Sequence, residues 1–231
     1  MAENGIVLVS GGMDSLVVAA LANQECEKVY FLHLNYGQKT EDRELKSFQQ
    51  IVEHFQPADS LIADVSYLKN IGGSSLTDES IAVKNHTGSN EVPDSYVPFR
   101  NAHLVTIATS WAEVLGVGRI YLGAVEEDSS GYPDCRESFF RALEKAVDLG
   151  TKAETKIKLI TPVIHKTKSA IIKMGKKLDV PFQYSWSCYR NNDIACGVCD
   201  SCVLRINSFK QAGIKDPIPY NINIDWQEEI E

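Results

Sequence analysis

The sequence predicts an α/β fold: an open, mostly parallel five-stranded sheet, helices on both faces and a small cysteine-bound knuckle at the C-terminal end. Three observations carry this. Short, β-branched apolar runs alternate along the chain with segments of helical periodicity. The first run ends in a glycine turn that opens straight into a helix. Four cysteines crowd into positions 188–202, beyond the last alternation.

Ile6-Val7-Leu8-Val9 is short, uncharged and β-branched, the pattern of a strand buried on both faces. Ser10-Gly11-Gly12-Met13-Asp14-Ser15 follows, and then Leu16-Val17-Val18-Ala19-Ala20-Leu21-Ala22, apolar on all sides as a buried helix is. A glycine turn between strand and helix aims backbone N–H groups and the positive helix end at one spot, which suits a phosphate. Asp14 and Ser15 fall in the first turn, where a carboxylate can help place Mg²⁺ and a hydroxyl can donate to a phosphate oxygen. A Walker A loop is excluded, because Gly12 is followed by Met-Asp-Ser where that loop needs Lys-Ser/Thr.

Lys28 to Leu34 gives the second strand, far enough from the first for a crossover helix, so the two should be parallel neighbours. Asn35-Tyr36-Gly37-Gln38 then lies at the carboxyl edge, where α/β proteins place ligands. Leu45, Phe48, Ile51, Val52 and Phe55 mark an amphipathic helix over 41–55, and Asp59 to Val65 a third strand. From Ser66 to Pro98 periodicity disappears, which predicts a lid, a binding loop or a mobile insertion. Arg100-Asn101 opens a helix with Leu104, Ile107, Ala108, Trp111 and Leu115. Arg119 to Val125 is read as the fourth strand. A polar loop from Glu126 to Arg136 leads into a helix with Phe139, Phe140, Leu143 and Val147. Lys158 to Val163 is the last strand, and Ile171, Met174 and Leu178 line a helix over 167–178. The chain divides into a nucleotide-binding α/β part, 1–180, and a C-terminal metal-binding segment, 181–231, packed on it.

At 231 residues, 44% hydrophobic and 23% charged, the composition is that of a soluble protein. No apolar run approaches the ~20 residues of a membrane span, and Met1-Ala2-Glu3-Asn4 has neither the basic flank nor the apolar core of a signal peptide. A cytoplasmic protein without membrane contact is expected. The net charge of −8 argues against a broad nucleic-acid surface.

Six cysteines in such a chain argue for metal or chemistry before disulfides. Cys188, Cys196, Cys199 and Cys202 have the spacing C-x7-C-x2-C-x2-C, in which two-residue gaps fold consecutive thiolates around one ion and Gly197 supplies a tight turn. A closed Cys₄ set is the pattern of structural Zn²⁺, so a zinc knuckle is expected, with binding part of its folding energy. An iron–sulfur cluster also takes four cysteines, though its fourth ligand usually follows with a proline and here it precedes. Free buried cysteines are the remaining alternative. Cys26 is read as inert. Cys135 lies beside Arg136, whose guanidinium could lower its pKa, but a packing or substrate-contact role is favoured over a nucleophilic one.

The Ser10–Ser15 string resembles the SGGxDS loop of the PP-loop ATP pyrophosphatase superfamily. Together with Asn35-Tyr36-Gly37-Gln38, Val97-Pro98-Phe99-Arg100-Asn101, Ser130-Gly131-Tyr132-Pro133-Asp134-Cys135-Arg136 and the four-cysteine tail, it resembles the 7-cyano-7-deazaguanine synthase family in the same order over nearly the whole chain. That resemblance implies strand order 3-2-1-4-5 and a homodimer. It also implies a carbon–nitrogen ligase that uses ATP, Mg²⁺ and ammonia to turn 7-carboxy-7-deazaguanine into the nitrile of queuosine biosynthesis. The nucleotide would be held by Val9, Ser10, Gly11, Gly12, Met13, Asp14, Ser15, Leu16, Val17, Val18 and Ala19, with Asn35, Tyr36 and Gln38 nearby. Asp14, Ser15, Arg100 and Lys166 would serve catalysis, with Lys168 a further candidate for steadying phosphate charge. Arg100, Asp128, Tyr132, Asp134 and Arg136 would meet the substrate, and Cys188, Cys196, Cys199 and Cys202 the metal.

Alternatives stay open at this point. Arg100 could sit in a surface ion pair, Asp134 could be a turn residue, and lysines opening a helix are often only solvated. Another PP-loop adenylating enzyme, such as a tRNA thiolase, would need an RNA surface and a sulfur-carrying cysteine, for which only Cys135 is available. A non-catalytic nucleotide- and zinc-binding regulator would have little reason to retain Asp14-Ser15.

Overall fold

The computed structural model describes residues 3–86, 92–126 and 131–227. Its core is a parallel sheet. β1 (Gly5–Leu8) lies at the centre between β2 (Val29–Asn35) and β4 (Arg119–Tyr121), with β3 (Asp59–Asp64) and β5 (Lys158–Ile160) at the edges. The order β3-β2-β1-β4-β5 is the one expected.

The pleat of β1 divides the interior in two. Val7 and Val9 point into one apolar cluster with Phe31, Phe48, Val17, Ile171 and Phe209. Ile6 and Leu8 point into the other with Leu32, Val105, Ala112 and Phe140. Helices α1 (Met13–Glu25) and α2 (Glu41–Phe55) make the crossovers on the first face. After the single-turn α3 (Tyr67–Ile71), α4 (Arg100–Leu115) and α5 (Glu137–Gly150) make them on the second. The windings diverge at the carboxyl end of β1, and that is where a ligand crevice opens in such sheets.

Two further helices pack on the α1 side: α6 (Lys168–Lys177) against α1, and α7 (Asp200–Ala212) against α6. Phe182 meets Phe209 edge-on at 5.4 Å inside the same cluster as α1, so the chain beyond 180 shares a core with the sheet-bearing part. Arg205, on α7, is fully buried and bonded to Asp216 through Nε–Oδ2 (2.6 Å) and Nη2–Oδ1 (2.9 Å).

Two strands end well before the sequence expectation, and helix α7 lies outside it. β4 stops at Tyr121 rather than Val125, because the chain turns at Gly123 to pass under the Ser10–Ser15 loop: a Cβ there would lie 2.7 Å from the Ser15 nitrogen. β5 stops at Ile160, before Thr161-Pro162, and proline has no N–H for a ladder. The described part of 66–98 is packed, with Leu68, Leu76 and Val97 in the core, Ser74, Ser75 and Thr77 buried, and Ser75 N donating to Asp94 O at 2.7 Å.

Candidate active site

The loop after β1 is held from within. The Ser15 hydroxyl donates to Gly12 O (3.0 Å) and accepts from Ser10 N (3.2 Å), and Gly12 N donates to Ser10 Oγ (3.2 Å). Gly11 has φ +86°, and a Cβ on it would stand 2.8 Å from Glu44 O and 3.0 Å from Ser47 Cβ. The turn is therefore pressed against α2 at a point where only glycine fits. Gly12 N-caps α1, leaving the helix's positive end directed out of the loop.

This loop forms one wall of a cavity of about 270 Å³. The ends of β1, β2 and β4 supply an apolar floor through Leu8, Leu32, Leu34 and Leu122, and polar groups converge on it from elsewhere. Lys168 Nζ, at the start of α6, reaches Asp14 Oδ2 at 2.8 Å, while Asp14 Oδ1 is buried without a protein partner. Arg100, at the start of α4, donates from Nη1 to Tyr36 Oη (3.0 Å) and lies over the Tyr36 ring at 5.1 Å. Glu44 accepts from Thr40 Oγ1 (2.8 Å) and Gln38 Nε2 (3.1 Å), and Gln38 Oε1 accepts from Tyr36 N (2.9 Å). Burial pushes the Glu44 carboxyl up to about 7 against these hydrogen bonds and the pull of Arg100.

Beyond the cavity's Trp186–Tyr189 side the four cysteine sulfurs lie within 4.8 Å of one another, with Cys196 and Cys202 at 3.9 Å. Backbone N–H groups of Arg190, Asn191 and Cys196 point at Cys188 Sγ, and those of Val198 and Cys199 at Cys196 Sγ, all at 3.3–3.5 Å. Bonds from Cys199 and Cys202, with these N–H groups, hold Cys188 well below the usual thiol range. Gly197 takes φ +77° in the turn, as the knuckle requires. The set could hold a metal ion.

Residues 4–213 match the family model "Queuosine biosynthesis protein QueC". The chain belongs to the QueC family. A relative from Chlorobium phaeovibrioides, named 7-cyano-7-deazaguanine synthase, is 50% identical over 218 residues, which is 94% of this chain and 96% of that one. One of the same name from Chloroherpeton thalassium is 52% identical over 220 residues, covering 94% and 96%. Among solved structures, that of a 4-thiouridine synthetase–RNA complex with bound ATP superposes with TM-score 0.50 at 17% identity, covering 88% of this chain and 49% of the other. At that identity the likeness is one of fold.

Within this QueC chain, the structure brings Val9, Ser10, Gly12, Met13, Asp14, Ser15, Tyr36, Arg100 and Tyr132 to one cavity. Gln38 stands behind Glu44 and Tyr36, and Asn35 ends β2 outside the cavity lining. Leu16, Val17, Val18 and Ala19 lie wholly in the core under the loop and act through α1. Asp134 is buried with Oδ2 accepting from Asn101 N (2.9 Å), so it ties down the start of α4. Arg136 is exposed at the start of α5, and Lys166 is exposed while Lys168 reaches Asp14. Asp128 lies outside the described residues. Burial, with Asp134 beside it, pushes the Cys135 thiol up to about 11, so it rests protonated.

Sequence reasoning passed over Glu44, Trp186, Ser187, Tyr189, Asp200 and Arg205, all of which line the cavity. Their signal was positional. Glu44 sits one turn into the helix that follows Tyr36-Gly37-Gln38, and the Trp186–Tyr189 stretch contains the first metal-type cysteine.

Proposed function

We propose that this chain is a cytoplasmic, ATP-dependent 7-cyano-7-deazaguanine synthase, homodimeric by analogy with its family, acting on 7-carboxy-7-deazaguanine and ammonia. The observation that carries this is family membership over residues 4–213, a span that contains every residue of the cavity.

A carboxylate is a poor electrophile and must first gain a leaving group. Attack of its oxygen on the ATP α-phosphorus gives an acyl adenylate and pyrophosphate. Ammonia then displaces AMP to give the amide. A second adenylation, on the amide oxygen, lets AMP and two protons leave to form the nitrile. Such chemistry rests on positioning and charge stabilisation rather than a protein nucleophile, in keeping with the protonated Cys135; a sulfur-carrying role for that thiol gains no support.

Ser10, Gly11, Gly12 and Ser15 hold the phosphates at the α1 N-terminus, and Lys168 offsets charge on the departing pyrophosphate. Arg100, stacked on Tyr36, clamps the substrate carboxylate or the phosphate it attacks. Tyr132, hydrogen-bonded to Ser95 at 2.8 Å, gives the deazaguanine ring a face to stack on. The unpartnered Asp14 Oδ1 suits Mg²⁺, which would neutralise phosphate charge. Four Zn–S bonds of ~2.3 Å set sulfurs about 3.8 Å apart, close to the 3.9 Å between Cys196 and Cys202. Zn²⁺ in that set would fix the Trp186–Tyr189 wall and the start of α7.

The test is incubation of the purified chain with Mg-ATP, ammonium and 7-carboxy-7-deazaguanine, followed by mass spectrometry. The nitrile is expected; amide alone, or no turnover by metal-replete protein, would overturn the reading.

A further inference from the structure

Resting on that reading, we propose that Glu44 is the site where ammonium binds and surrenders a proton before attack. At neutral pH ammonia is almost wholly ammonium, which has no lone pair. An enzyme that consumes it needs a desolvated anion beside the acyl carbon, able to hold the cation and take its proton.

Three carboxylates line the cavity among the described residues: Asp14, Glu44 and Asp200. Asp14 is paired with Lys168 at 2.8 Å, a cation that repels ammonium. Asp200 is part-exposed and bonded to His86 Nδ1 at 2.8 Å. Glu44 alone receives only neutral donors, Thr40 Oγ1 and Gln38 Nε2, and each of its oxygens keeps a lone pair for a further N–H. Elsewhere the cavity lining includes Leu8, Leu32, Leu34 and Leu76, whose side chains offer a small cation no acceptor.

The charged and titratable groups facing Glu44 are Arg100 from α4, Tyr36 from the β2 edge and Glu41 on its own helix, with the Asp14–Lys168 pair across the cavity. Arg100 keeps the anion accessible near neutrality, while burial keeps the acid weak enough to accept a proton. The transfer balances. Glu44 carboxylate and ammonium become Glu44 carboxylic acid and ammonia. The nitrogen lone pair then forms the C–N bond as the C–O bond to AMP breaks, the excess proton on the new C–N nitrogen leaves with the AMP phosphate, and Glu44 later releases its own proton to water. Dehydration of the amide requires two more proton departures from the same nitrogen, so a base at this position serves both halves of the reaction.

The experiment compares wild type with Glu44→Gln in two assays: substrate-dependent ATP–pyrophosphate exchange without ammonium, and nitrile formation with it. Glu44→Gln should keep exchange within about threefold while nitrile formation near neutral pH falls about 100-fold. Its deficit should shrink as rising pH supplies free ammonia. In the wild type, kcat/KM for ammonium should rise with pH through about 7. Thr40→Val, which removes one donor to the carboxylate, should move that limb to higher pH and provides the readout if Glu44→Gln does not fold. Wild-type rates in Glu44→Gln, or parallel loss of exchange and nitrile with no recovery at high pH, would overturn the assignment. The second pattern would make Glu44 a contact for the deazaguanine instead. Absence of exchange in the wild type would sink the functional reading itself.

Discussion

Gly11→Ala isolates the packing that shapes the Ser10–Ser15 loop. Two costs follow from the geometry. At φ +86° an L side chain carries a left-handed penalty of roughly 1–2 kcal/mol. Its Cβ would also stand 2.8 Å from Glu44 O and 3.0 Å from Ser47 Cβ, and relieving that clash by moving α2 costs roughly 1–3 kcal/mol. The sum, about 2–5 kcal/mol, is a large share of a domain's stability and corresponds to a fall in Tm of roughly 4–20 °C. Thermal unfolding followed by circular dichroism measures it. Gly12→Ala is the internal control: Gly12 has φ −80°, and its Cβ would be no closer than 3.3 Å to Ser10 Oγ, so Tm should barely move. That methyl would project beside the phosphate position, so ATP use should suffer all the same. A Gly11→Ala protein as stable as wild type, or a Gly12→Ala protein destabilised as much as Gly11→Ala, would refute the idea that α2 dictates the loop.

Other consequences are read in separate assays. Lys168→Ala should lower turnover about 100-fold, whereas Lys166→Ala, which alters an exposed side chain, should leave it near wild type. Cys135→Ser should retain activity within about threefold, and alkylation of Cys135 near neutral pH should be slow, because its thiol is buried and protonated. Metal analysis should find one zinc per chain, and removing it or making Cys202→Ser should cost several kcal/mol and loosen 181–220 first, as seen by hydrogen exchange. Glu44 also makes stability depend on pH. Its carboxyl is raised from 4.5 to about 7 on folding, so the proton it gains favours the fold below about 4.5, and that benefit is lost as pH rises through about 7. The loss should be about 3 kcal/mol, and Glu44→Gln should flatten this limb of the stability profile.

The sheet was legible because parallel α/β chains announce themselves locally. Ile6 to Val9 and Lys28 to Leu34 are too apolar and too short for anything but buried strands, and Leu45 to Phe55 shows one helical face. The strand ends were less so. Leu122 and Val125 are apolar because they line the cavity, and Val163 because it enters the core, so hydrophobicity continued where the ladder did not. Helix α7 was hidden because Cys202, Arg205 and Ser208 share its buried face with Ile206 and Phe209, and a hydrophobic pattern counts only the last two. In the site, the loop and Arg100 could be read from motifs. Asp134 and Arg136 shared a motif with Tyr132, yet a 3₁₀ turn sends Asp134 inward to Asn101 and leaves Arg136 at the surface. Glu44 is one of several acids in α2, with Glu41, Asp42 and Glu53, and nothing in the sequence singles it out. Only the position of that helix against Gly11 turns it toward the cavity, and position is a tertiary fact.

We propose that both activations occur at the α-phosphorus of ATP in the cavity beneath Ser10–Ser15. This is tested most directly by supplying 7-carboxy-7-deazaguanine with both carboxylate oxygens as ¹⁸O and analysing the nucleotides released. Two AMP per nitrile are expected, each carrying one ¹⁸O, together with unlabelled pyrophosphate. ADP with ¹⁸O in inorganic phosphate would place the attack at the terminal phosphorus and contradict it.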